Sequence, residues 1–405
     1  MVRLPSGGCI SMSLISKLGM LGAASSGGAE AKYLITYEGS GKVWDIENDF
    51  ADVTSTFKPS NTTSWAGSDE RLYNGWQDNG YRSKYIGFGG WGRDGSIGGA
   101  IWDVNNASSQ WTRYNNYDGT ALNFGGSGNA IVTRIVPHGN SGNFFWFRIN
   151  DNLEVGVNRI TNPSSSNVGS QASQLTNTGT RPVGTWGDYI VSVNSTTLYL
   201  SSFNQSTGAT SNISSASIAS FESKAVPEIS KTGNVIAVVD GGANNTSSVL
   251  KVWDDHNITE YDGSTKVLGS GTSLIFPSAV RSAVNSLEPE ALAISDDDRW
   301  IAASYRRSTS PYYGIVVFDR NNSYATTVRT LPVGAGSNSR PKDIVFFPDN
   351  DTFFMSGYAN AQCLLCSASQ GTYTRNFGNY GANKESLMGS SMGATVLPPD
   401  WTNGY

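Results

Sequence analysis

Apolar residues fall along this chain in short runs, many of them of period two, separated by clusters of Gly, Asn, Asp and Ser. Residues 235–242 (VIAVVDGG) and 250–255 (LKVWDD) read as two strands joined through the hairpin turn ANNTSSV. Residues 291–305 (ALAISDDDRWIAASY) and 343–358 (DIVFFPDNDTFFMSGY) both read strand, acidic turn, strand, and superpose residue by residue at the turn. One grammar recurs: an apolar run, a polar turn, then a second apolar run that closes on an aromatic residue and often an Asp. The clearest closings are KVWDI at Trp44, AIWDV at Trp102, LKVWDD at Trp253 and IVVFDR at Phe318; weaker ones are FFWFR at Trp146, TLYLSSF at Tyr199 and QCLLC at Leu365. Six steps carry the series from Trp44 to Leu365, about 54 residues each.

A unit of that length with three or four short strands matches one four-stranded blade of a β-propeller, in which each sheet buries both faces against its neighbours. The expected fold is therefore all-β, a propeller over residues 31–405 with seven blades, or six if the weak units near Trp146 and Tyr199 merge. The two ends look complementary. Residues 393–405 (GATVLPPDWTNGY) resemble half of a unit and residues 31–46 (AKYLITYEGSGKVWDI) the other half, so the C-terminal strand is expected to pair with the first strands in one blade. On the Trp-Asp closings the chain resembles the WD-repeat-like propellers, although the Gly-His pair of that family is absent and three of the seven closings lack Trp-Asp. That resemblance implies a fold and no particular activity.

Composition narrows the setting. Charged residues make up 15% of the chain and the net charge is −5 with no run of like charges, which disfavours nucleic acid or an anionic membrane as a partner. Eleven Trp, 18 Tyr and 16 Phe supply a large core and favour strands. No window approaches the 18 apolar residues of a membrane span. Three Cys exclude a disulfide scaffold. Cys363 and Cys366, three apart in a strand, are expected on opposite faces as small core residues, and with only His138 and His256 elsewhere no metal set is expected. Asp296, Asp297, Asp298, Asp349 and Asp351 are expected to serve their turns.

Residues 1–30 stand outside the repeat as an anchor segment. Ile10, Leu14, Ile15, Leu18 and Leu21 fall near one helical face, with Ser11 or Ser13 placed to cap it. Pro5 and two glycines precede the apolar stretch and Lys17 interrupts it, so a signal peptide is not the reading taken. The string ISMSLISKLGMLGAASSGG resembles short N-terminal segments of structural proteins of tailed bacteriophages, marine and cyanobacterial ones especially. The resemblance implies a virion protein that docks on other virion proteins through residues 10–21, as part of an oligomeric assembly, and projects its larger domain.

Two loops have a binding composition. Residues 64–82 carry Trp65, Tyr73, Trp76 and Tyr81 beside Arg71, and residues 89–99 carry Trp91 and Arg93; aromatic faces stack on sugar rings while polar groups meet the hydroxyls. The competing reading of the first loop is packing between blades, and of the second a hairpin tip. No nucleophile elbow, phosphate loop, zinc pattern or dinucleotide fingerprint occurs, so no catalytic residue and no cofactor are expected. The leading expectation is a non-enzymatic structural or adhesion component of a phage particle, possessing a surface for neighbours or a host glycan. The alternatives are a secreted or cell-surface carbohydrate-binding propeller and, third, a propeller glycoside hydrolase or lyase.

Overall fold

The computed structural model describes residues 32–38, 40–57, 71–72, 85–91, 99–103, 111–114, 131–138, 143–149, 155–161, 170–175, 184–186, 189–193, 196–204, 207, 209–218, 227–230, 232–240, 249–254, 258–261, 265–281, 287–307, 313–330, 340–358, 363–377 and 393–397. Among them are seven four-stranded antiparallel sheets and one additional hairpin. The first sheet draws on both ends of the chain: β1 (Tyr33–Glu38), β2 (Ser40–Asp45) and β3 (Ala51–Asp52) are joined by β30 (Gly393–Leu397), which pairs with β1 from Tyr33↔Leu397 to Tyr37↔Gly393. The expected pairing of the C-terminal segment with the first strands is thus present in one sheet. The single-turn helix α1 (Thr54–Phe57) follows β3.

The other sheets are built in chain order. The second holds β4 (Arg71–Leu72), β5 (Tyr85–Trp91), β6 (Gly99–Asp103) and β7 (Trp111–Tyr114); the third β8 (Ile131–His138), β9 (Asn143–Ile149), β10 (Val155–Thr161) and β11 (Ser170–Leu175). The fourth holds β12 (Gly184–Trp186), β13 (Tyr189–Val193), β14 (Thr197–Phe203) and β15 (Thr210–Ser217). The fifth holds β16 (Glu228–Ile229), β17 (Ile236–Asp240), β18 (Val249–Trp253) and β21 (Thr272–Ile275), with the hairpin β19 (Ile258–Tyr261) and β20 (Thr265–Leu268) inserted before its last strand. After the one-turn helix α2 (Ser278–Arg281) come the sixth, β22 (Leu287–Ile294), β23 (Trp300–Arg307), β24 (Tyr313–Asp319) and β25 (Ala325–Thr330), and the seventh, β26 (Arg340–Phe346), β27 (Thr352–Tyr358), β28 (Leu364–Ser367) and β29 (Thr372–Asn376).

Period-two alternation sends successive side chains into two different cores. Val235, Ala237 and Val239 join the core shared with the sixth sheet, whereas Ile236 and Val238 join the one shared with the fourth. Trp300 and Ala302 meet the seventh sheet while Ile301, Ala303 and Tyr305 meet the fifth. Cys363 and Leu365 pack with Leu34, Trp44 and Phe50 of the first sheet, and Leu364 and Cys366 pack with Ile315 and Val317 of the sixth. Both cysteines are buried and outside any disulfide, on opposite faces as expected. Each fully buried Val, Leu, Ile or Phe contributes about 1.5–3 kcal/mol, so these double-faced sheets need no disulfide.

Six of the seven closing residues lie in the third strand of their sheets; Trp146 does not. It sits in β9, the second strand of its sheet, and the third strand there is β10 (VGVNRIT), which has no aromatic residue to betray it. The stretch 64–82, read as a loop insertion, contains β4, the first strand of the second sheet. Residues 89–91, read as part of a hairpin tip, continue β5. The anchor residues Ile10, Leu14, Ile15, Leu18 and Leu21 lie outside the described residues.

Candidate functional site

Polar side chains gather at the turns joining first to second and third to fourth strands. Three first-to-second turns share one geometry. Ser230, Ser295 and Phe347 each donate their N–H to the carbonyl five residues on, at 2.8, 2.9 and 2.8 Å, and Gly233, Asp298 and Asn350 stand at the same left-handed place, with φ of 74°, 63° and 60°. That place favours Gly, Asn and Asp. Before it, Asp297 Oδ1 accepts from the Ser295 hydroxyl (2.6 Å) and the Arg299 N–H (3.1 Å), and Asp349 accepts from the N–H groups of Asp351 (3.0 Å) and Thr352 (2.8 Å). Asp351 in turn accepts from the Ser367 hydroxyl and the Ser369 N–H, both at 2.6 Å. Asp297 and Asp349 thus serve their own turns as expected, whereas Asp351 reaches across to the turn that follows β28.

The turns also join neighbouring sheets. The Thr232 hydroxyl donates to Asp298 Oδ2 at 2.5 Å, from fifth to sixth, and the Asp297 N–H donates to Asn350 Oδ1 at 3.1 Å, from sixth to seventh.

The third-to-fourth turns carry a signal that the Trp-Asp closings only half revealed. DIEN at 45–48 and DRNN at 319–322 open the same turn, and DVNN at 103–106 and DDHN at 254–257 share its lettering. Asp45 Oδ1 accepts from the Glu47 N–H (3.1 Å), and Asp319 Oδ1 from the Asn321 N–H (3.1 Å). Two left-handed residues end each turn, Asp49 and Phe50 (φ 52° and 59°) in one and Ser323 and Tyr324 (φ 49° and 59°) in the other. In both, the final aromatic residue turns inward against the preceding sheet. Phe50 meets Phe377 edge-on at 5.0 Å. Tyr324 donates its hydroxyl to Asp254 Oδ2 at 2.5 Å, and Arg320 Nε lies 3.6 Å from the same oxygen. Asp254 is 3% exposed. Burial, and then the bond to Asp254, hold the Tyr324 phenol above its usual range, so it remains a neutral donor. In the sixth sheet Arg299 grips Asp319 through two bonds of 3.0 Å and stacks on Trp300 at 4.3 Å.

Chemically, this belt is a set of hydrogen bonds and ion pairs within and between sheets. Among the described residues no three His, Cys, Asp or Glu side chains are grouped to hold a metal ion, and no helix is long and apolar enough to cross a membrane. Of the binding residues expected from sequence, Arg71 and Trp91 stand directly opposite each other in the β4–β5 pair. Trp65, Tyr73, Trp76, Tyr81 and Arg93 lie outside the described residues, as does His256; His138 ends β8 opposite Asn143.

No family model and no curated protein sequence matches the chain. Solved structures do. The chain is similar to the β-propeller domain of Myceliophteria thermophila Cps50 (Swd1), with 12% identity and a TM-score of 0.53 over 85% of this chain and 98% of that one. A protein from Lactobacillus plantarum gives 12% identity and a TM-score of 0.54 over 91% of this chain and 99% of that one. A candidate 6-phosphogluconolactonase from Bacteroides uniformis gives 10% and 0.52 over 91% and 100%. At these identities the likeness speaks to architecture alone, and together with the double-faced four-stranded sheets it makes this chain a β-propeller.

Proposed function

We propose that the seven sheets are the blades of one ring closed through β30, and that the ring is a non-enzymatic binding scaffold docked by its N-terminal segment onto a larger particle. The observation that carries the scaffold reading is the use of the rim carboxylates. Asp254, Asp297, Asp298, Asp319, Asp349 and Asp351 all accept bonds from turn N–H groups, hydroxyls or guanidinium groups of their own or a neighbouring sheet. Such a rim resists deformation and leaves function to loops carried on it. The setting rests on residues 10–21, whose resemblance to phage structural segments makes a tailed-phage virion the particle proposed and its other structural proteins the partners.

Light scattering of the full chain against one starting at Glu30 tests this reading. Assembly by the full chain, with a monomer near 40 kDa from the shorter one, is the expected result; two identical monomers would overturn the docking role. A second reading, a carbohydrate-binding propeller at a cell surface, takes support from the register of β4 and β5, in which Arg71 and Trp91 are backbone partners. A glycan array probed with wild type and with Trp91→Ala separates it from the first.

A further inference from the structure

Among the described residues, the fifth sheet alone interrupts its third-to-fourth connection with a hairpin, β19–β20. In the first and sixth sheets this connection ends in Phe50 or Tyr324, pressed against the preceding sheet. Here β21 pairs with β18 up to Val252↔Thr272, and continuing that register brings the end of the hairpin, Leu268 and Gly269, to the corresponding place.

The hairpin is fastened on both sides of the seam between fourth and fifth sheets. Toward the fourth, the Leu268 side chain enters the shared core with Val191, Leu200 and Ile218, its N–H donates to Ser214 Oγ at 3.0 Å, and the Lys266 ammonium lies 5.2 Å from the Tyr189 ring centre. Toward the fifth, Lys266 Nζ donates to the Gly233 carbonyl at 2.8 Å, and the Trp253 indole N–H donates to the Gly269 carbonyl at 2.9 Å. Lys266 is only 6% exposed. Gly271, at φ +68°, lets the chain leave the hairpin beneath Trp253, since a Cβ there would stand 2.7 Å from the indole.

We infer that β19–β20 is a strap that ties the fourth sheet to the fifth in place of an aromatic plug, so that undocking it loosens this seam and no other. The fastenings differ in kind from the apolar plug of the seventh-to-first seam. Phe50 is buried in the seventh-to-first core, whereas the strap adds to Leu268 three hydrogen bonds, which open locally at lower cost than a core does.

Hydrogen exchange on the full chain tests it, using Lys266→Met, which keeps the stem and removes the ammonium, and Ser214→Ala, which removes the acceptor of the Leu268 N–H. The expected result for either variant is exchange at least ~10-fold faster in residues 189–193, 210–218 and 265–268, with residues 300–307 and 352–358 unchanged, and recovery in Lys266→Arg. Unchanged exchange at 265–268 in both variants, or equal acceleration in every sheet, would overturn the strap.

Discussion

The seam between seventh and first sheets and the seam between fifth and sixth use the same turn, yet they are closed by different chemistry. At the first, Phe50 sits against Phe377, with the Arg375 guanidinium 5.2 Å and 4.9 Å from the two ring centres and bonded to Asp49 at 2.5 Å. At the second, Tyr324 and Arg320 converge on one buried carboxylate, Asp254. The first seam joins segments from opposite ends of the chain, and there Asp343 Oδ2 also accepts the Ala394 N–H of β30 at 3.1 Å. A buried carboxylate that loses a donor is left under-solvated, a penalty of a different kind from a lost ring in a packed core. The same backbone turn can therefore be plugged by either chemistry.

Mutations at the two seams separate these accounts, and chemical unfolding measures each. Phe50→Ala should cost the most, about 3–5 kcal/mol, because it removes a ring from a packed core. Asp254→Ala should follow at about 3 kcal/mol, since Tyr324 and Arg320 lose their shared acceptor; a change below 1 kcal/mol would mean that water replaces it freely. Tyr324→Phe keeps the ring and should cost about 1 kcal/mol. Its pH dependence is the sharper test. A phenol held above its usual value in the folded chain stabilises fully below the unfolded value of about 10 and loses that contribution as pH rises beyond it, so the gap between wild type and Tyr324→Phe should narrow above pH 10. Arg375→Met should cost least, about 0.5–1 kcal/mol, because Asp49 is 66% exposed and solvent screens the pair. Equal losses at both seams would erase the distinction.

The legible part of the fold was the part with one strong physical signal per strand. Apolar runs closing on Trp44, Trp253 and Phe318 marked third strands, and the acidic turns at 295–300 and 347–352 gave their hairpins directly. Trp146 misled because β9 is as aromatic as a third strand elsewhere and β10 is plain. β4 went unseen because two residues, Arg71 and Leu72, carry no periodicity. The strap was hidden since its contacts span from Ser214 to Leu268, a separation no local pattern encodes. Asp254 belongs to a Trp-Asp closing, but its partners Arg320 and Tyr324 lie one unit on, and no pattern within a unit relates them.

Removing β30 is the decisive test of the proposed closure of a ring through both chain ends. Hydrogen exchange of the full chain should be compared with a chain ending at Met392. The account predicts that residues 33–38 lose protection together with residues 340–346, which pack beside β30, while residues 236–240 keep theirs. Undiminished protection of residues 33–38 without β30 would contradict it.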